Sequence, residues 1–506
     1  MNGFRTRRLT RPTPLRGSNG VAFGPDGRLY VAQFLAGEIS AVDLATGDVE
    51  TVIPADGPVQ APDDLAFGAD GSMYVTDLVP GRVWRRHPDA TFTLVTDRVR
   101  LPNGIACVGD RVFVNEMIPG GRLLELGDGE PKVLTGGLAM GNAMQLGPDG
   151  CLYYPHMLTG EVHRIPVGGG APELVAADVH EPVAVRFDQA GVLQVLSRGA
   201  AGIITRIDLA GTGDRSLLTS GIAGQDNAAF DTENRMFVSS YAGGGITEVH
   251  PDGRTREVAP RGFAGPYGVT IDLGGTVHTA DHYRIAEPAG DVATTELLPF
   301  AHGIAADGDL LHLTSQYGQV RTYDRATRSV RTRAEGLDQP LGIAVRADGA
   351  LVVAEAGAGR VLVVDDAVGV LAEGLGRPVD VAADDEGRWY VSDEARGAVY
   401  RLDDDVLTGV AGDLDTPQGI AVRDGRLHIA ETGANRLVVV DLATGQVRST
   451  TDLPPRPPAV REPPALRAHG LPGVPRPFTG LAVAADDSRY VTAGGTVLHV
   501  TPAEHP

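Results

Sequence analysis

The sequence predicts an all-β protein built as two tandem six-bladed β-propellers, with four antiparallel strands in each blade. Three observations lead to this prediction. One sequence pattern recurs twelve times at a period of about 40 residues. Turn-forming residues are abundant, with 67 glycines and 35 prolines, whereas only 5% of the residues are aromatic. The 506 residues also exceed what one hydrophobic core usually organises, so we expect at least two domains.

The repeat is clearest in its first two copies, NGVAFGPDGRLYVAQFLAGEISAVDLATGDVETVI from Asn19 and DDLAFGADGSMYVTDLVPGRVWRRHPDATFTLVTD from Asp63. In each copy two short alternating segments flank a tight turn, which is typical of a β-hairpin. A third segment begins at a glycine and turns into a fourth, so each copy supplies the four strands of one blade. The copies begin at Asn19, Asp63, Asn103, Asn142, Val183, Asp226, Tyr267, His302, Leu341, Val379, Gln418 and Thr479.

The last copy ends after its third strand, so its fourth strand has to come from another part of the chain. We expect the N-terminal segment RTRRLTR to complete blade six and residues 255–260 to complete blade twelve, because this scheme needs no crossing between domains. The predicted domains are then 1–252 and 253–506. In the alternative scheme the N-terminus completes blade twelve and the boundary lies near residue 264. Seven blades plus five is the alternative to six plus six.

A proline-rich segment, residues 453–477, interrupts the repeat between blades eleven and twelve. Its prolines exclude a central strand, because proline cannot donate a hydrogen bond to the ladder. We expect a stiff surface connection. The alternative is a lid or brace over one propeller face, since long ordered loops often have a function.

Composition limits the partners of the protein. The formal net charge is −21 and the isoelectric point is about 5.0, so the basic surface that a nucleic-acid binder requires is not expected. The sequence contains no stretch of 18 or more apolar residues, so no membrane span is predicted. The basic N-terminus is followed by no apolar signal-peptide region, so we expect a cytoplasmic protein. A small-molecule substrate is the expected partner, and the oligomeric state is left open.

One position in every copy, at the entry of the innermost strand, lies beside the predicted propeller axis. A turn preference would favour Asn and Asp equally in both halves of the chain, yet five of the first six positions are Asn or Asp and none of the last six is. This excess of short oxygen-bearing side chains indicates a divalent cation on the first axis. The alternative is an axial network of amides and ordered water. The first six positions are Asn19, Asp63, Asn103, Asn142, Val183 and Asp226.

A second layer of candidates comes from the ends of the second strands, which return to the same mouth of the propeller. Asp77 and Glu116 occupy a position that often carries a structural carboxylate. His156 is expected to serve as general base, general acid or additional metal ligand, and Arg198 to bind a polar oxygen of the substrate. The six positions are Gln33, Asp77, Glu116, His156, Arg198 and Tyr241.

The mouth of the second propeller carries its own polar residues, Asp281, His282 and His302. We expect a filled channel without chemistry there, and a second site is the alternative.

The segment LPNGIACVGDRVFVNE, together with the entries at Asn19, Asn142 and Asp226, resembles the gluconolactonase/regucalcin (senescence marker protein-like) family. The repeats in general also resemble NHL-type and streptogramin B lyase blades. The family resemblance implies a six-bladed propeller with one axial divalent metal, held by a Glu, an Asn and an Asp from inner strand entries. This sequence departs from the family in its first blade, where Asn19 stands in place of the glutamate. Asp63 is the residue that could supply the missing negative charge.

The resemblance implies a metal-dependent hydrolase of a lactone or related ester, with its site at the axial mouth of the first propeller. The expected metal is one divalent ion, Ca²⁺ first, with Zn²⁺, Mg²⁺ or Mn²⁺ as alternatives. Two other functions stay open: a lyase or isomerase acting on a secondary metabolite, and a binding module without catalysis. The predicted metal ligands are Asn103, Asn142 and Asp226, followed by Asn19 and Asp63. The predicted catalytic residues are Asp226, which serves as ligand and base together, His156, Glu116 and Arg198.

Overall fold

Strands are the only regular elements in the part of the chain that the structure describes. The computed structural model describes residues 4–211, 213–289, 291–403, 406–455, 460 and 464–502, with the backbone alone for residues 291–295. Within these residues no helix has the length and apolarity that a membrane span requires. The chain separates into two compact units, which are taken in turn.

The first unit comprises Thr13–Ala264 and Pro458–Val474. Its described residues form six four-stranded antiparallel sheets, numbered here 1 to 6 in chain order. The strands are Ser18–Phe23, Leu29–Gln33, Glu38–Val42 and Val49–Ile53 in sheet 1; Pro62–Phe67, Met73–Asp77, Arg82–Arg86 and Phe92–Thr96 in sheet 2; Pro102–Val108, Arg111–Glu116, Pro119–Leu126 and Lys132–Ala139 in sheet 3; Gln145–Leu146, Cys151–His156, Glu161–Pro166 and Glu173–Ala176 in sheet 4; Pro182–Phe187, Leu193–Ser197, Ile203–Ile207 and Arg215–Thr219 in sheet 5; Gln225–Phe230, Met236–Ser240, Ile246–Val249 and Thr255–Ala259 in sheet 6.

These six sheets close into a ring, called the first ring below. The first strand of each sheet contacts the first strand of the next, and the first strand of sheet 6 contacts that of sheet 1. Apolar side chains fill the space between neighbouring sheets. At the closing junction, for example, the Phe23 and Phe237 rings meet edge to face with centroids 5.9 Å apart. The second strand of sheet 1 is buried along its whole length, whereas Arg215–Thr219, an outer strand, is largely exposed.

The second unit comprises Met1–Pro12, Gly265–Pro457 and Pro475–Pro506. Its described residues also form six four-stranded sheets, numbered 7 to 12, whose first strands contact one another in a closed cycle, called the second ring below. The strands are Pro266–Ile271, Val277–Asp281, Arg284–Ala289 and Asp291–Glu296 in sheet 7; Ile304–Asp307, Leu310–Ser315, Gln319–Asp324 and Ser329–Ala334 in sheet 8; Pro340–Val345, Leu351–Glu355, Arg360–Val364 and Val368–Ala372 in sheet 9; Pro378–Ala383, Trp389–Asp393, Ala398–Asp403 and Val406–Ala411 in sheet 10; Pro417–Arg423, Arg426–Glu431, Arg436–Asp441 and Val447–Asp452 in sheet 11; Leu481–Val483, Arg489–Ala493, Thr496–Pro502 and Phe4–Arg8 in sheet 12.

The closure of the two rings differs from the expected scheme. The N-terminal strand Phe4–Arg8 pairs antiparallel with Thr496–Pro502 in sheet 12, and Thr255–Ala259 pairs with Ile246–Val249 in sheet 6. The predicted closure and the boundary at residue 252 are therefore wrong, and the alternative boundary near 264 agrees with the structure. The physical reason is local. Residues 255–259 follow the third strand through a tight turn at His250–Gly253, so this hairpin forms without closing a long loop.

The entry of the innermost strand is irregular in most sheets of the first ring. In sheet 2 the pairing with the second strand runs from Pro62 directly to Leu65, so Asp63 and Asp64 form a bulge. The same interruption falls on residues 19–20 in sheet 1, 103–104 in sheet 3 and 226–227 in sheet 6. A bulge releases residues from the ladder and re-aims their side chains. The bulges therefore put pairs of consecutive residues beside the axis, where a regular strand would present every second residue.

We predict that the second ring depends on its N-terminal strand. Removing residues 1–8 leaves the strand Thr496–Pro502 as an open edge and removes the Phe4 ring from beneath the Arg489 guanidinium. The expected loss of stability is roughly 2–4 kcal/mol, because a few ladder hydrogen bonds contribute about 1 kcal/mol each. The two tryptophans allow each ring to be followed separately by fluorescence during urea unfolding, because Trp84 is in the first ring and Trp389 in the second. In a Trp84→Phe background the Trp389 transition should shift to lower urea, whereas removing residues 1–3 alone should not shift it.

Candidate functional site

The axis of the first ring brings together the oxygen-bearing side chains that the sequence predicts there. Asn19, Asp63, Asn103, Asn142 and Asp226 are all buried, with no more than 7% of any of them exposed. The Asn103 side-chain amide Nδ2 donates a hydrogen bond to Asp63 Oδ1 over 2.8 Å, so neighbouring sheets are joined at the axis. The remaining entry, in sheet 5, is the apolar Val183.

Several oxygens of this axial cluster lack a hydrogen-bond donor. Asn19 Oδ1 and Asn103 Oδ1 are buried and have no partner in the described part of the chain. The Asp226 carboxylate accepts no hydrogen bond from a described residue, and its neighbours act on it through their charge. Buried acceptors without donors are rare and costly, so their concentration at one place indicates a site for an electron-poor ligand.

Asn142 differs from the other entries. Its Oδ1 accepts a hydrogen bond of 2.6 Å from the backbone N–H of Ala143. Its amide nitrogen points to two thioether sulfurs, 3.1 Å from Met157 Sδ and 3.6 Å from Met117 Sδ. The oxygen of Asn142 is therefore already occupied, and this residue fits the predicted role of metal ligand less well than Asn19 and Asn103 do.

The carboxylates on this axis repel one another. Burial, reinforced by the charge of Asp64, raises the pKa of Asp63. Burial also raises the pKa of Asp226 well above its usual value, and the charges of Asp63 and Asp64 add to the effect. A positive charge beside the two carboxylates would stabilise their ionised forms, because it would offset both the cost of burial and their mutual repulsion.

A deeper layer of the axis was missed from the sequence. Asp64 Oδ1 accepts a hydrogen bond of 3.0 Å from Asn227 Nδ2, and the guanidinium of Arg186 donates to Asn227 Oδ1. Arg186 also donates to the backbone oxygens of Ala228 and Met144 at 2.7 and 3.0 Å. The sequence could have indicated this layer, because it puts polar residues where most repeats have small ones. Most copies have Gly or Ala at the position of Asp64 and Asn227, and Ala at the position of Arg186.

Among the described residues, the guanidinium of Arg186 is the one positive group whose charge acts on the buried carboxylates of Asp64 and Asp226. It opposes the rise in pKa that burial causes at Asp64 and at Asp226. With Asp63, Asp64 and Asp226 ionised, the axis carries two net negative charges. This imbalance equals the charge of one divalent cation.

Glu116, predicted as catalytic, is part of a structural ion pair. Its buried carboxylate accepts hydrogen bonds from the backbone and guanidinium groups of both Arg100 and Arg122, at 2.6–3.3 Å. Although burial opposes it, this bonding lowers the pKa of Glu116 to about 2. With both oxygens occupied, Glu116 is unsuited to accept a proton at neutral pH.

Asp77 and Gln33, at the ends of other second strands, also bond to their own surroundings. Asp77 accepts from the backbone N–H groups of Gln60 and Ala61, and Gln33 accepts from that of Arg16.

Arg198 lies one residue outside the second layer as it was predicted. In sheet 3, Glu116 is the second-strand residue that pairs with Pro102 of the first strand. The equivalent pair in sheet 5 is Pro182 with Ser197, so Ser197 occupies the second-layer position there. The Arg198 side chain is exposed, and its backbone oxygen accepts a hydrogen bond of 3.2 Å from the Tyr241 hydroxyl. The structure therefore does not bring the guanidinium of Arg198 to the axial cluster by any described hydrogen bond or ion pair.

His156 lies at the end of the second strand of sheet 4 and belongs to a cluster with Glu161 and His163. The His156 and His163 rings stack with centroids 4.3 Å apart. Burial and the neighbouring His163 lower the pKa of His156 to about 4, so its imidazole is neutral at neutral pH. Glu161 and His163 were not predicted. Their signal is the alternation of the strand EVHRIP, which puts both on one face.

An apolar strap covers part of the mouth of the first ring. Residues 464–474 include a two-stranded hairpin, Arg467–Ala468 and Leu471–Pro472, turned at His469 and Gly470 with φ of 50° and 81°. Its Ala468, Leu471 and Val474 pack against a cluster that includes Phe34, Leu78, Leu101, Met117 and Ile118. Met117 Sδ is 3.2 Å from Asn103 Nδ2, so one side chain separates the strap cluster from the axial cluster. The described part of the proline-rich segment is thus a brace over this face, which was the alternative expectation.

The second ring has aromatic side chains at its mouth and a cavity beneath them. Tyr267 stacks on His302 at 5.1 Å between centroids, and Phe478 packs against both. The cavity, about 310 Å³, is lined half by Gly and Ala and otherwise mainly by Val, Ile and Leu, and Asp380 also lines it. Asp380 accepts hydrogen bonds of 2.9 Å from the backbone N–H groups of Val381 and Ile420. The expected filled channel is therefore wrong: aromatic side chains occupy the mouth, but a cavity lies below them.

Comparison with known proteins gives structural similarity alone. No family model and no curated protein sequence matches the chain. A solved streptogramin B lyase is 19% identical over 55% of this chain and 94% of its own, with a TM-score of 0.41. Regucalcin of Agrobacterium tumefaciens, described as a calcium-binding protein, is 18% identical over 47% of this chain and 85% of its own, with a TM-score of 0.38. A gluconolactonase of Xanthomonas campestris is 14% identical over 47% of this chain and 86% of its own, with a TM-score of 0.39. The families that the sequence motifs resemble are therefore among the proteins of similar structure.

We predict that Arg186 stabilises the first ring by balancing buried negative charge. Arg186→Met should lower the free energy of unfolding by about 3–5 kcal/mol, because it leaves the carboxylate of Asp64 buried without its counter-charge. Adding Asp64→Asn to that variant should restore part of the loss. Urea unfolding followed by Trp84 fluorescence, in a Trp389→Phe background, measures both. Equal stability of the single and double variants would show that Arg186 acts through packing alone.

We predict a second, pH-dependent contribution from Glu116. Because its folded-state pKa is depressed, Glu116 stabilises the protein above the unfolded value of about 4.5, and this stability is lost as the pH falls toward 2. Glu116→Gln should therefore cost about 2 kcal/mol at pH 7, allowing for the partly exposed arginines, and should flatten the loss of stability between pH 4.5 and 3. The control is Glu130→Gln, whose side chain is 77% exposed. Unchanged pH dependence in Glu116→Gln would contradict this assignment.

Proposed function

We propose that the chain is a divalent-metal-dependent hydrolase of a lactone or related ester, and that the first ring is a six-bladed β-propeller with the site at its axial mouth. We propose that the second ring is a six-bladed propeller with a structural or substrate-shaping role. The observation that carries the proposal is the axial cluster, in which buried oxygens without donors lie beside carboxylates with unbalanced charge.

The donor set fits a hard cation. Asn19 and Asn103 offer amide oxygens that have no partner among the described residues, and Asp63 and Asp226 offer carboxylates. All four are oxygen donors, as Ca²⁺ prefers, and Mg²⁺ and Mn²⁺ also accept such ligands. These four residues would hold the ion. Asn142 would have to give up its hydrogen bond to Ala143 to join them.

A divalent cation bound there would polarise the carbonyl of an ester or lactone. The chain itself supplies proton transfer. The carboxylate of Asp226 accepts no hydrogen bond from the described residues, and burial raises its pKa, which strengthens it as a base. It would take a proton from water as the water oxygen bonds to the carbonyl carbon. It would then return that proton to the alkoxide oxygen as the ester C–O bond breaks.

The strap and the neighbouring methionines favour a substrate with an apolar part. Met117 and Met157 lie within 3.2 Å of the axial amide nitrogens, and the strap cluster continues this apolar wall. Thioethers are soft and adaptable, so such a wall accepts substituents of varied shape. A lactone or ester with an apolar substituent would bury it against this surface while its carbonyl meets the polar axis.

We predict that Asp226→Asn abolishes both cation binding and turnover. In chelator-treated wild-type protein, added Ca²⁺, Mg²⁺ or Mn²⁺ should raise the unfolding temperature of the first ring, because a cation that binds only the folded state stabilises it. A panel of lactones with short and long apolar substituents, followed by proton release, should show hydrolysis. Asp226→Asn should lose the cation-dependent shift and lower kcat by about 100-fold or more.

The matched control is Asp380→Asn, the partly buried axial carboxylate of the second ring, which should keep both properties. If no cation stabilises the first ring, the metal site is refuted. If a cation binds through Asp226 but no lactone or ester is hydrolysed, the hydrolase is refuted, and elimination or isomerisation becomes the reaction class to test.

A further inference from the structure

Sheet 4 carries three metal-ligating side chains outside the axial cluster. His156 ends the second strand and stands directly opposite Glu161, the first residue of the third strand. His163 follows Glu161 by two residues and stands opposite Tyr154. Because alternate residues of a strand share a face, and opposed residues of an antiparallel pair point the same way, all three side chains project from one face of the sheet.

The ligand atoms of these three residues already lie close together. Glu161 Oε2 is 3.1 Å from His163 Nε2 and 3.7 Å from His156 Nδ1. One ligand atom from each residue lies within 4.8 Å of the others. Ligands in a tetrahedral zinc site are roughly 3.3 Å apart, for bonds of about 2.0–2.1 Å. Small side-chain rotations would therefore bring the three atoms to coordinating distance without movement of the strands.

The surroundings hold the three ligands in place and leave one side open. The buried Tyr154 ring stacks on His163 at 6.1 Å between centroids, and Thr159 Oγ1 donates a 2.9 Å hydrogen bond to Glu161 Oε2. Such outer contacts orient metal ligands. His156 Nε2 is buried and has no hydrogen-bond partner in the described residues. Glu161 is one-third exposed, so solvent reaches the cluster from that side.

We infer that His156, Glu161 and His163 form a zinc site with three protein ligands and one exchangeable position. Two imidazoles and one carboxylate are a ligand set of catalytic zinc sites, whose fourth position holds water or substrate. Imidazole nitrogen favours Zn²⁺ over Ca²⁺, whereas the all-oxygen axial cluster favours the harder ion. The first ring thus offers two metal sites of different selectivity, and this inference does not depend on the proposed hydrolase activity.

The test measures zinc directly on untagged full-length protein. After chelator treatment and dialysis against Zn²⁺ with a weak competing chelator, elemental analysis should find one zinc per chain. His163→Gln and His156→Gln should each weaken zinc binding by about 100-fold or more in calorimetric titration while keeping the wild-type circular dichroism. Co²⁺ in place of Zn²⁺ should give the visible absorption of a four-coordinate ion, and both variants should lose it.

Two matched controls make the assignment specific. His87→Gln removes a partly exposed histidine of the same ring, whose side chain hydrogen-bonds only to Thr93 among the described residues, and should leave the zinc in place. Asp226→Asn should also retain it, because the axial cluster is separate. Absence of bound zinc, or zinc that persists in both His156→Gln and His163→Gln, would overturn the inference and leave a stacked and hydrogen-bonded cluster. Loss of zinc in Asp226→Asn alone would assign the ion to the axial cluster, and this result would also overturn the inference.

Discussion

Closing six sheets into a ring is the constraint on which the rest of this protein depends. It brings the entries of six innermost strands to a common axis. Their side chains are therefore close together there, irrespective of their polarity or charge. In the first ring most of those entries are bulged, so two consecutive residues per sheet face the axis. The result is a layered polar core, with Asp63 and Asp226 in one layer and Asp64 and Asn227 in the next. Such a core exists only because the ring is closed.

The two rings satisfy this constraint in opposite ways. In the first, Arg186 extends into the channel and partly balances the buried carboxylates of Asp64 and Asp226. In the second, Gly and Ala line the same region and leave a cavity with Asp380 as its carboxylate. Asp64 and Asp380 are anchored alike, since each accepts the N–H of its own next residue and one from the following sheet. The difference in chemistry therefore arises from a few substitutions on a shared backbone arrangement, which is why the first ring is the better candidate for function.

The strap adds a component that no single repeat contains. Its sequence lies between sheets 11 and 12, yet residues 458–474 belong to the compact unit of the first ring. Hairpin residues Ala468 and Leu471 pack on the apolar rim of the mouth, and Met117 links this rim to Asn103. An apolar rim beside a polar axis provides two surfaces of different chemistry, and together they can orient a substrate with a polar and an apolar end.

The sequence by itself determined the repeat, the inner strands of each copy and the entry residues at the first axis, because these follow from local periodicity and turn chemistry. It also exposed the contrast between the polar entries of the first ring and the mixed entries of the second. Tertiary structure alone decided which strand completes each ring, since Phe4–Arg8 and Thr255–Ala259 are both competent strands and only their partners distinguish them. It likewise decided that Glu116 is saturated by arginines, that the oxygen of Asn142 is occupied, and that Arg186 reaches Asn227. Those outcomes depend on which groups the folded strands bring into contact, and a repeat pattern carries no information about which neighbour a side chain will meet.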